Sequence, residues 1–285
     1  MEDFEVMLNG GLGNQLFGWA SAVGFSRKTG LSYTINASKT RERGYQLIEY
    51  GISATFTKPR IKFMPRNRLT RKLGRILTRL LPVSRFNFVE NGFRFDHRFF
   101  DNPKKKTLYG YFQSPKYFEH AKSEVIKVLL DFRSTREPYS ELFKILTTDT
   151  YITVHVRRGD YIGLEHYHGL VDANYLSAAR RLVLAEKPEA KFVVFSDSIK
   201  LAKFDFPDAD LYVGEEVDLT PPELLSLMSS TQGIIGSNSS LSWWAGYLLQ
   251  GEAPLRVYPE PWFSNKELDT RDLVPSDWKR LPSGF

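Results

Sequence analysis

The chain has 285 residues, of which 42% are hydrophobic and 25% charged, enough for one large domain or two modest ones and unlike a disordered composition. It contains no cysteine, which excludes disulfides and thiolate metal sites. The formal net charge of +6 favours an anionic partner: nucleic acid, an anionic membrane or a phosphate-bearing substrate.

The opening residues, Met1-Glu2-Asp3-Phe4-Glu5, are acidic where a secretory leader would be basic and then apolar. No stretch reaches the ~18 apolar residues of a spanning helix, so a cytoplasmic protein is expected. The glycosylation sequons at Asn36 and Asn238 are then chance matches. Phe4 to Leu8 reads as a strand, followed at once by a glycine-rich turn from Asn9 to Gly13. Asn14 is positioned to cap a helix with Leu16, Phe17, Ala20 and Val23 on one face. Leu31 to Ile35 fits a second strand.

Residues 58–85 carry ten Lys and Arg with no acid, and Leu69, Leu73, Ile76, Leu77 and Leu80 recur at helical spacing. A solvated helix packed by its leucines and a peripheral contact with an anionic membrane surface both fit. Nucleic acid is disfavoured, because no aromatic residues interleave the charges of the helix. From about 85 to 112 the chain reads as short extended pieces ending in Leu108-Tyr109-Gly110-Tyr111-Phe112. Tyr117 to Phe132 has helical spacing of Phe118, Val125, Val128 and Leu129.

The second half is more regular. Strand-like runs at Tyr151–Val156, Phe192–Phe195, Leu211–Val213, Gly233–Ile235 and Leu255–Tyr258 alternate with helical stretches near 173–186, 221–230 and 240–250. This alternation predicts a parallel sheet covered on both faces, with ligands beyond the carboxyl ends of its strands. The division into domains is placed at 1–145 and 146–285.

Chemistry-bearing motifs cluster at those strand ends. His155-Val156-Arg157-Arg158-Gly159-Asp160-Tyr161 brings two arginines out of a buried strand. They fit a diphosphate clamp or an internal ion pair with Asp160 or Glu165. Gly10-Gly11-Leu12-Gly13-Asn14-Gln15 could turn backbone N–H groups toward an anion or be a plain tight turn. It is neither a dinucleotide fingerprint nor a P-loop. Ser237, Asn238, Ser239 and Ser240 open a helix with hydroxyls and backbone donors suited to sugar or phosphate, ahead of Trp243 and Trp244. Phe195-Ser196-Asp197 ends a strand with a carboxylate that could meet a guanine edge or cap the next helix. Asp208-Ala209-Asp210 has a metal-binding spacing but reads better as a surface turn, and His166 with His168 lacks a third zinc ligand.

In this order and spacing the motifs resemble glycosyltransferase family 11, the α-1,2-fucosyltransferases, almost end to end. The segments carrying the resemblance run from Gly10 to Phe17, Tyr109 to Ser114, His155 to Tyr161, Phe195 to Asp197, Asn238 to Trp244 and Pro259 to Phe263. The resemblance implies an α/β, GT-B-like fold, two Rossmann-like domains facing a cleft, the first on the acceptor side and the second binding the GDP-sugar. It implies transfer of L-fucose from GDP-fucose, with inversion, to a galactose-terminated glycan, in the manner of surface-polysaccharide synthesis, with no metal or other cofactor. Arg157 and Asn14 would approach the diphosphate, Arg158 would support them, and His155 and Asp197 would lie near ribose and guanine. Gly11, Gly13, Gln15 and Ser237 to Ser240 complete the expected donor contacts, and Asp160, ahead of Glu165, is the candidate base. The sequence departs from the family in having Ser198 after Phe195-Ser196-Asp197, and Gly18-Trp19 after the first motif. The basic segment suits an acceptor carried on a membrane lipid.

Overall fold

The computed structural model describes residues 3–40, 42–57, 87–101, 106–158 and 169–285. The basic segment 58–85, together with Asp160, Glu165, His166 and His168, lies outside the described residues. The chain divides into two compact units, Met1–Val128 with Arg271–Leu273, and Leu129–Thr270 with Val274–Phe285.

The first unit is built on a four-stranded parallel sheet in the order β2-β1-β4-β3. Its strands are β1 (Phe4–Asn9), β2 (Tyr33–Lys39), β3 (Asn87–Val89) and β4 (Thr107–Tyr109). Phe4, Val6, Met7 and Leu8 are all buried, as expected of a central strand covered on both faces. Gly10, at φ 71°, turns the chain so sharply that helix α1 (Leu12–Thr29) starts two residues before Asn14. The capping role expected of Asn14 therefore falls to Gly11, which supplies no side-chain cap. At its other end α1 stops on Gly30 in the left-handed region, whose N–H donates to Ser26 O at 2.8 Å. The helix expected over 117–132 is shorter: single 3-10 turns precede α2 (Lys122–Leu130).

The second unit holds a six-stranded parallel sheet in the order β10-β9-β8-β5-β6-β7. Its strands are β5 (Tyr151–Val156), β6 (Lys191–Ser196), β7 (Leu211–Val213), β8 (Gly233–Ile235), β9 (Leu255–Glu260) and β10 (Lys279–Pro282). Its helices are α3 (Tyr139–Thr148), α4 (Ala173–Glu186), α5 (Ile199–Asp205), α6 (Pro221–Ser229) and α7 (Ser240–Leu248). Chain order runs outward from β5 to β7 on one side and from β8 to β10 on the other, which is the doubly wound arrangement. Ile152, Val154 and Val156 of β5 pack with Phe192 and Val194 of β6 and with Tyr175, Leu176 and Val183 of α4. Thr153, on the opposite face, donates its hydroxyl to Met228 O at 2.9 Å. No helix among the described residues is long and apolar enough to cross a membrane.

Helix α1 approaches the 115–121 turns through Gly24: a Cβ there would lie 2.1 Å from the Tyr117 carbonyl oxygen and 2.9 Å from Phe118 Cα. An alanine inside a helix normally gains about 1 kcal/mol over glycine. Here two backbone segments would have to separate, at a cost of about 1–3 kcal/mol. Gly24→Ala is therefore expected to lower the urea midpoint; an unchanged or raised midpoint would show that the close approach is not real.

Candidate active site

In the second unit β5 and β8 are neighbours, but the chain leaves them in opposite directions, so a crevice opens beyond their carboxyl ends. His155, next to last in β5, and Ser237, two residues past β8, meet there: His155 Nδ1 and Ser237 Oγ are 2.8 Å apart. Burial, reinforced by the charge of Arg157, lowers the His155 pKa to about 3. The imidazole is therefore neutral at pH 7 and serves as a hydrogen-bonding strut, not a cation.

The turn after β8 is pinned by packing. A Cβ on Gly236 would lie 2.2 Å from the Tyr258 ring, and Tyr175 donates its hydroxyl to Gly236 O at 2.6 Å. The Ser237 N–H donates to Ser242 Oγ at 3.1 Å, and Asn238 Nδ2 donates to Gly169 O at 3.1 Å. Ser239 is the N-cap of α7, makes no side-chain cap bond, and no acidic residue occupies the first turn, which Ser240 opens. The positive end of α7 thus meets the turn with no protein carboxylate in its first turn. Trp243 and Trp244 are fully buried, Trp243 stacking on Tyr247 with centroids 4.7 Å apart, so they are core.

The two arginines have different fates. Arg158 is 6% exposed and committed to the protein. Its Nε and Nη2 donate to Asp205 Oδ2 at 2.9 and 2.7 Å, Nη2 also donates to Val171 O, and Nη1 to Arg157 O. Its carboxylate partner is thus Asp205, at the end of α5, a residue with no mark in the sequence. The Arg157 side chain is 25% exposed. Its Nε lies 3.1 Å from Asp197 Oδ2 in an ion pair without hydrogen-bond geometry. Asp197 Oδ1 accepts the Arg158 N–H at 2.8 Å. Asp197 therefore ties the β6 end to the β5 end and does not cap α5, whose N-cap is Ser198. The second unit so gathers His155, Arg157, Asp197 and Ser237 to Ser240, with Arg158 as their buried anchor.

The first unit gathers the other expected group at the carboxyl end of β1. Gly11 is the N-cap of α1 and faces open space, while Gly13, Asn14 and Gln15 belong to the first turn. Gln15 is fully buried: its Nε2 donates to Gly10 O and Gly44 O at 2.9 and 2.8 Å, and its Oε1 accepts the Gln46 N–H at 2.9 Å. It braces the glycine turn. Asn14 Oδ1 accepts from Gln113 Nε2 at 2.8 Å, so a side chain after β4 orients the residue expected near the diphosphate. Asp208, at φ 56°, and Asp210, whose carboxylate accepts the Phe192 N–H at 2.8 Å, form the turn before β7.

The family model described as "Glycosyl transferase family 11" matches residues 90–280. The α-1,2-colitosyltransferase of Escherichia coli is 27% identical over 293 residues, which cover 96% of this chain and 97% of that protein. Galactoside alpha-(1,2)-fucosyltransferase 1 of Homo sapiens is 30% identical over 109 residues, covering 36% of this chain and 30% of that one. Among solved structures, fucosyltransferase NodZ from Bradyrhizobium superposes with a TM-score of 0.50 at 15% identity, covering 87% of this chain and 94% of that one. This likeness concerns the fold, and agrees with the α/β, GT-B-like class.

Two stability measurements separate these roles. The His155 pKa is depressed on folding from an unfolded value near 6.5. Its contribution is therefore intact above about pH 6.5 and is lost as pH falls toward 3, by up to about 1.4 kcal/mol per pH unit. His155→Gln is expected to flatten the acid limb of the stability–pH curve by that slope; superimposable limbs would contradict a buried neutral imidazole. Arg158→Ala strands Asp205 and is expected to cost about 3–5 kcal/mol in denaturant unfolding. Arg157→Ala, whose ion pair is part-exposed and lacks hydrogen-bond geometry, is expected to cost less than Arg158→Ala; equal losses would refute the division of labour.

Proposed function

The chain belongs to glycosyl transferase family 11, and we propose that it transfers L-fucose from GDP-β-L-fucose, with inversion and without a metal, to the 2-hydroxyl of a galactose on a glycan acceptor. The observation that carries this reading is the part-exposed Arg157 guanidinium beside the His155–Ser237 pair at the β5–β8 crevice. Such crevices take nucleotides, and a guanidinium matches phosphate oxygens. The α-1,2 linkage is supported by the names of both relatives, and the fucosyl donor by the human one and by the motif series running from Gly10 to Phe263.

In this mechanism the acceptor oxygen attacks the anomeric carbon as the bond to the β-phosphate oxygen breaks. The bonding electrons leave with GDP, and the acceptor proton passes to a carboxylate, for which Asp160 is the candidate ahead of Glu165. Negative charge grows on the departing phosphate while the sugar gains oxocarbenium character. Arg157 and the N-terminus of α7 would stabilise that charge without a cation. Neutral His155 and Ser237 would hold the crevice open at no electrostatic cost to the leaving group. The fullest-length relative named above favours a second reading, in which the donor sugar is colitose, which is fucose lacking the 3-hydroxyl.

The test is transfer from GDP-fucose to lactose or N-acetyllactosamine in EDTA, wild type against Arg157→Ala. The product is expected to resist EDTA and the variant to lose about 10²–10³ in kcat, the usual effect of removing a donor to a developing anion. EDTA-sensitive transfer would overturn the metal-free mechanism, and an unimpaired variant would overturn the clamp. If no product forms, calorimetric binding of GDP leaves the nucleotide standing and points to the other sugar or acceptor. Absence of binding removes the donor assignment itself.

A further inference from the structure

Glu90 follows β3 in the first unit, and none of the chemistry-bearing motifs includes it. Its backbone N–H donates to Tyr109 O at 2.9 Å, which places its side chain against the segment leaving β4. There Glu90 Oε2 accepts two consecutive backbone donors, the N–H groups of Tyr111 and Phe112, both at 2.8 Å. A Cβ on Gly110 would lie 2.5 Å from Glu90 Cβ and 2.7 Å from Oε2, so the turn closes on the carboxyl only with glycine at 110.

This turn is under strain. Phe112 has φ 52°, a left-handed conformation that costs an ordinary residue about 1–3 kcal/mol and persists only where the surroundings enforce it. Two things enforce it here. The Phe112 ring is fully buried, with the Tyr117 ring 5.3 Å and the Phe99 ring 5.5 Å away, and its N–H is held by Glu90. The next residue is Gln113, whose amide donates to Asn14 Oδ1 at 2.8 Å. The strained turn therefore decides where Gln113, and through it Asn14, is held.

We propose that Glu90 is a positioning residue of the transfer reaction: its carboxyl sets the 110–114 turn so that Gln113 orients Asn14 at the glycine turn after β1. The catalytic consequence rests on the donor reading given above for Asn14; the structural consequence does not. A carboxyl suits the task because one of its oxygens, with two lone pairs, can accept two adjacent N–H groups, which an ammonium of similar reach cannot. Its surroundings also make the grip depend on pH. Desolvation raises the Glu90 pKa to about 7. Among the described residues the titratable groups facing it are the Tyr117 phenol and the Asp96 carboxylate, itself paired with Arg98 at 2.5 Å, and no cation meets Glu90 directly. The two N–H bonds favour the carboxylate, but burial outweighs them. Because the folded value exceeds the unfolded one, the closed turn holds the protonated carboxyl better, and its stability falls as pH rises from about 4.5 through 7.

Glu90→Gln keeps one carbonyl oxygen for the two N–H groups and removes the titration; Glu90→Ala removes both. Two readouts are needed. The first is amide hydrogen exchange across 109–114, corrected for intrinsic rates, on the protein without ligand. Wild type is expected to lose protection at Tyr111 and Phe112 as pH rises through 7, Glu90→Gln to hold it, and Glu90→Ala to lack it at every pH. The second is kcat/KM for GDP-fucose across the same pH range. Glu90→Ala is expected to fall at least about tenfold, as for a misplaced binding group. Glu90→Gln should stay within about threefold of wild type and lack its alkaline limb near pH 7. Wild-type exchange in Glu90→Ala, or an alkaline limb unchanged in Glu90→Gln, overturns the proposal. If the exchange behaves as expected but wild type does not use GDP-fucose, the donor reading fails and the positioning role stands.

Discussion

A guanidinium can be buried only if its donors are matched, and the carboxyl end of β5 is organised around that requirement. Arg158 reaches Asp205 on α5, the Val171 carbonyl and the carbonyl of its own neighbour, while its N–H is taken by Asp197. These bonds draw the ends of β5 and β6 and the last turn of α5 into one cluster. With that cluster fixed, Arg158 is turned into the protein, while the Arg157 side chain beside it stays part-exposed. Two adjacent arginines thus divide into a buried anchor and a part-exposed neighbour. Charge alone does not distinguish them; burial does, the side chain of the anchor being 8% exposed and that of its neighbour 25%.

Much of the second unit was legible in the sequence, because a parallel sheet buried on both faces writes its strands as continuous apolar runs. Tyr151–Val156, Leu211–Val213 and Gly233–Ile235 have the expected limits. The strand β10 was not legible: Lys279-Arg280-Leu281-Pro282 has neither apolar run nor alternation, and it is a strand because the edge of β9 offers it a ladder. The short helix α5 is equally faint, since Lys and Asp dilute its pattern. In the first unit the strand and glycine turn could be read, but not the point where α1 begins. That point depends on the left-handed Gly10, which lets the helix start before Asn14.

The partners of the site residues were the least legible part. Asp205, Gln113 and Glu90 lie 47, 99 and about 20 positions from the residues they hold, and nothing local marks them. A carboxylate that pairs a buried arginine looks, in sequence, like any acid in a helix. Gln113 stood inside a recognised aromatic segment, yet its role needs the geometry of β4 beside β1. The motif series marks the candidate site residues, and long-range polar contacts hold them in place.

The described charges of the second-unit crevice nearly cancel: Arg158 is balanced by Asp205, Arg157 faces Asp197, and His155 is neutral. A dianionic ligand would find no standing excess of positive side chains among them. Its attraction would come from the N-terminus of α7 and from the part-exposed Arg157 guanidinium. The contact between Arg157 and Asp197 is part-exposed and lacks hydrogen-bond geometry. Such a pair, without a hydrogen bond, binds its guanidinium less firmly than the bidentate grip of Asp205 on Arg158. Asp197 would keep the Arg158 N–H on Oδ1 as the guanidinium moved to phosphate, while its buried Oδ2 would lose the facing charge. A pair held as tightly as Arg158 and Asp205 would oppose the same exchange by several kcal/mol. The looser pair therefore lies at the β5 end and the firmer one behind it, so an anion that drew on Arg157 would leave the Arg158–Asp205 anchor of the strand end in place.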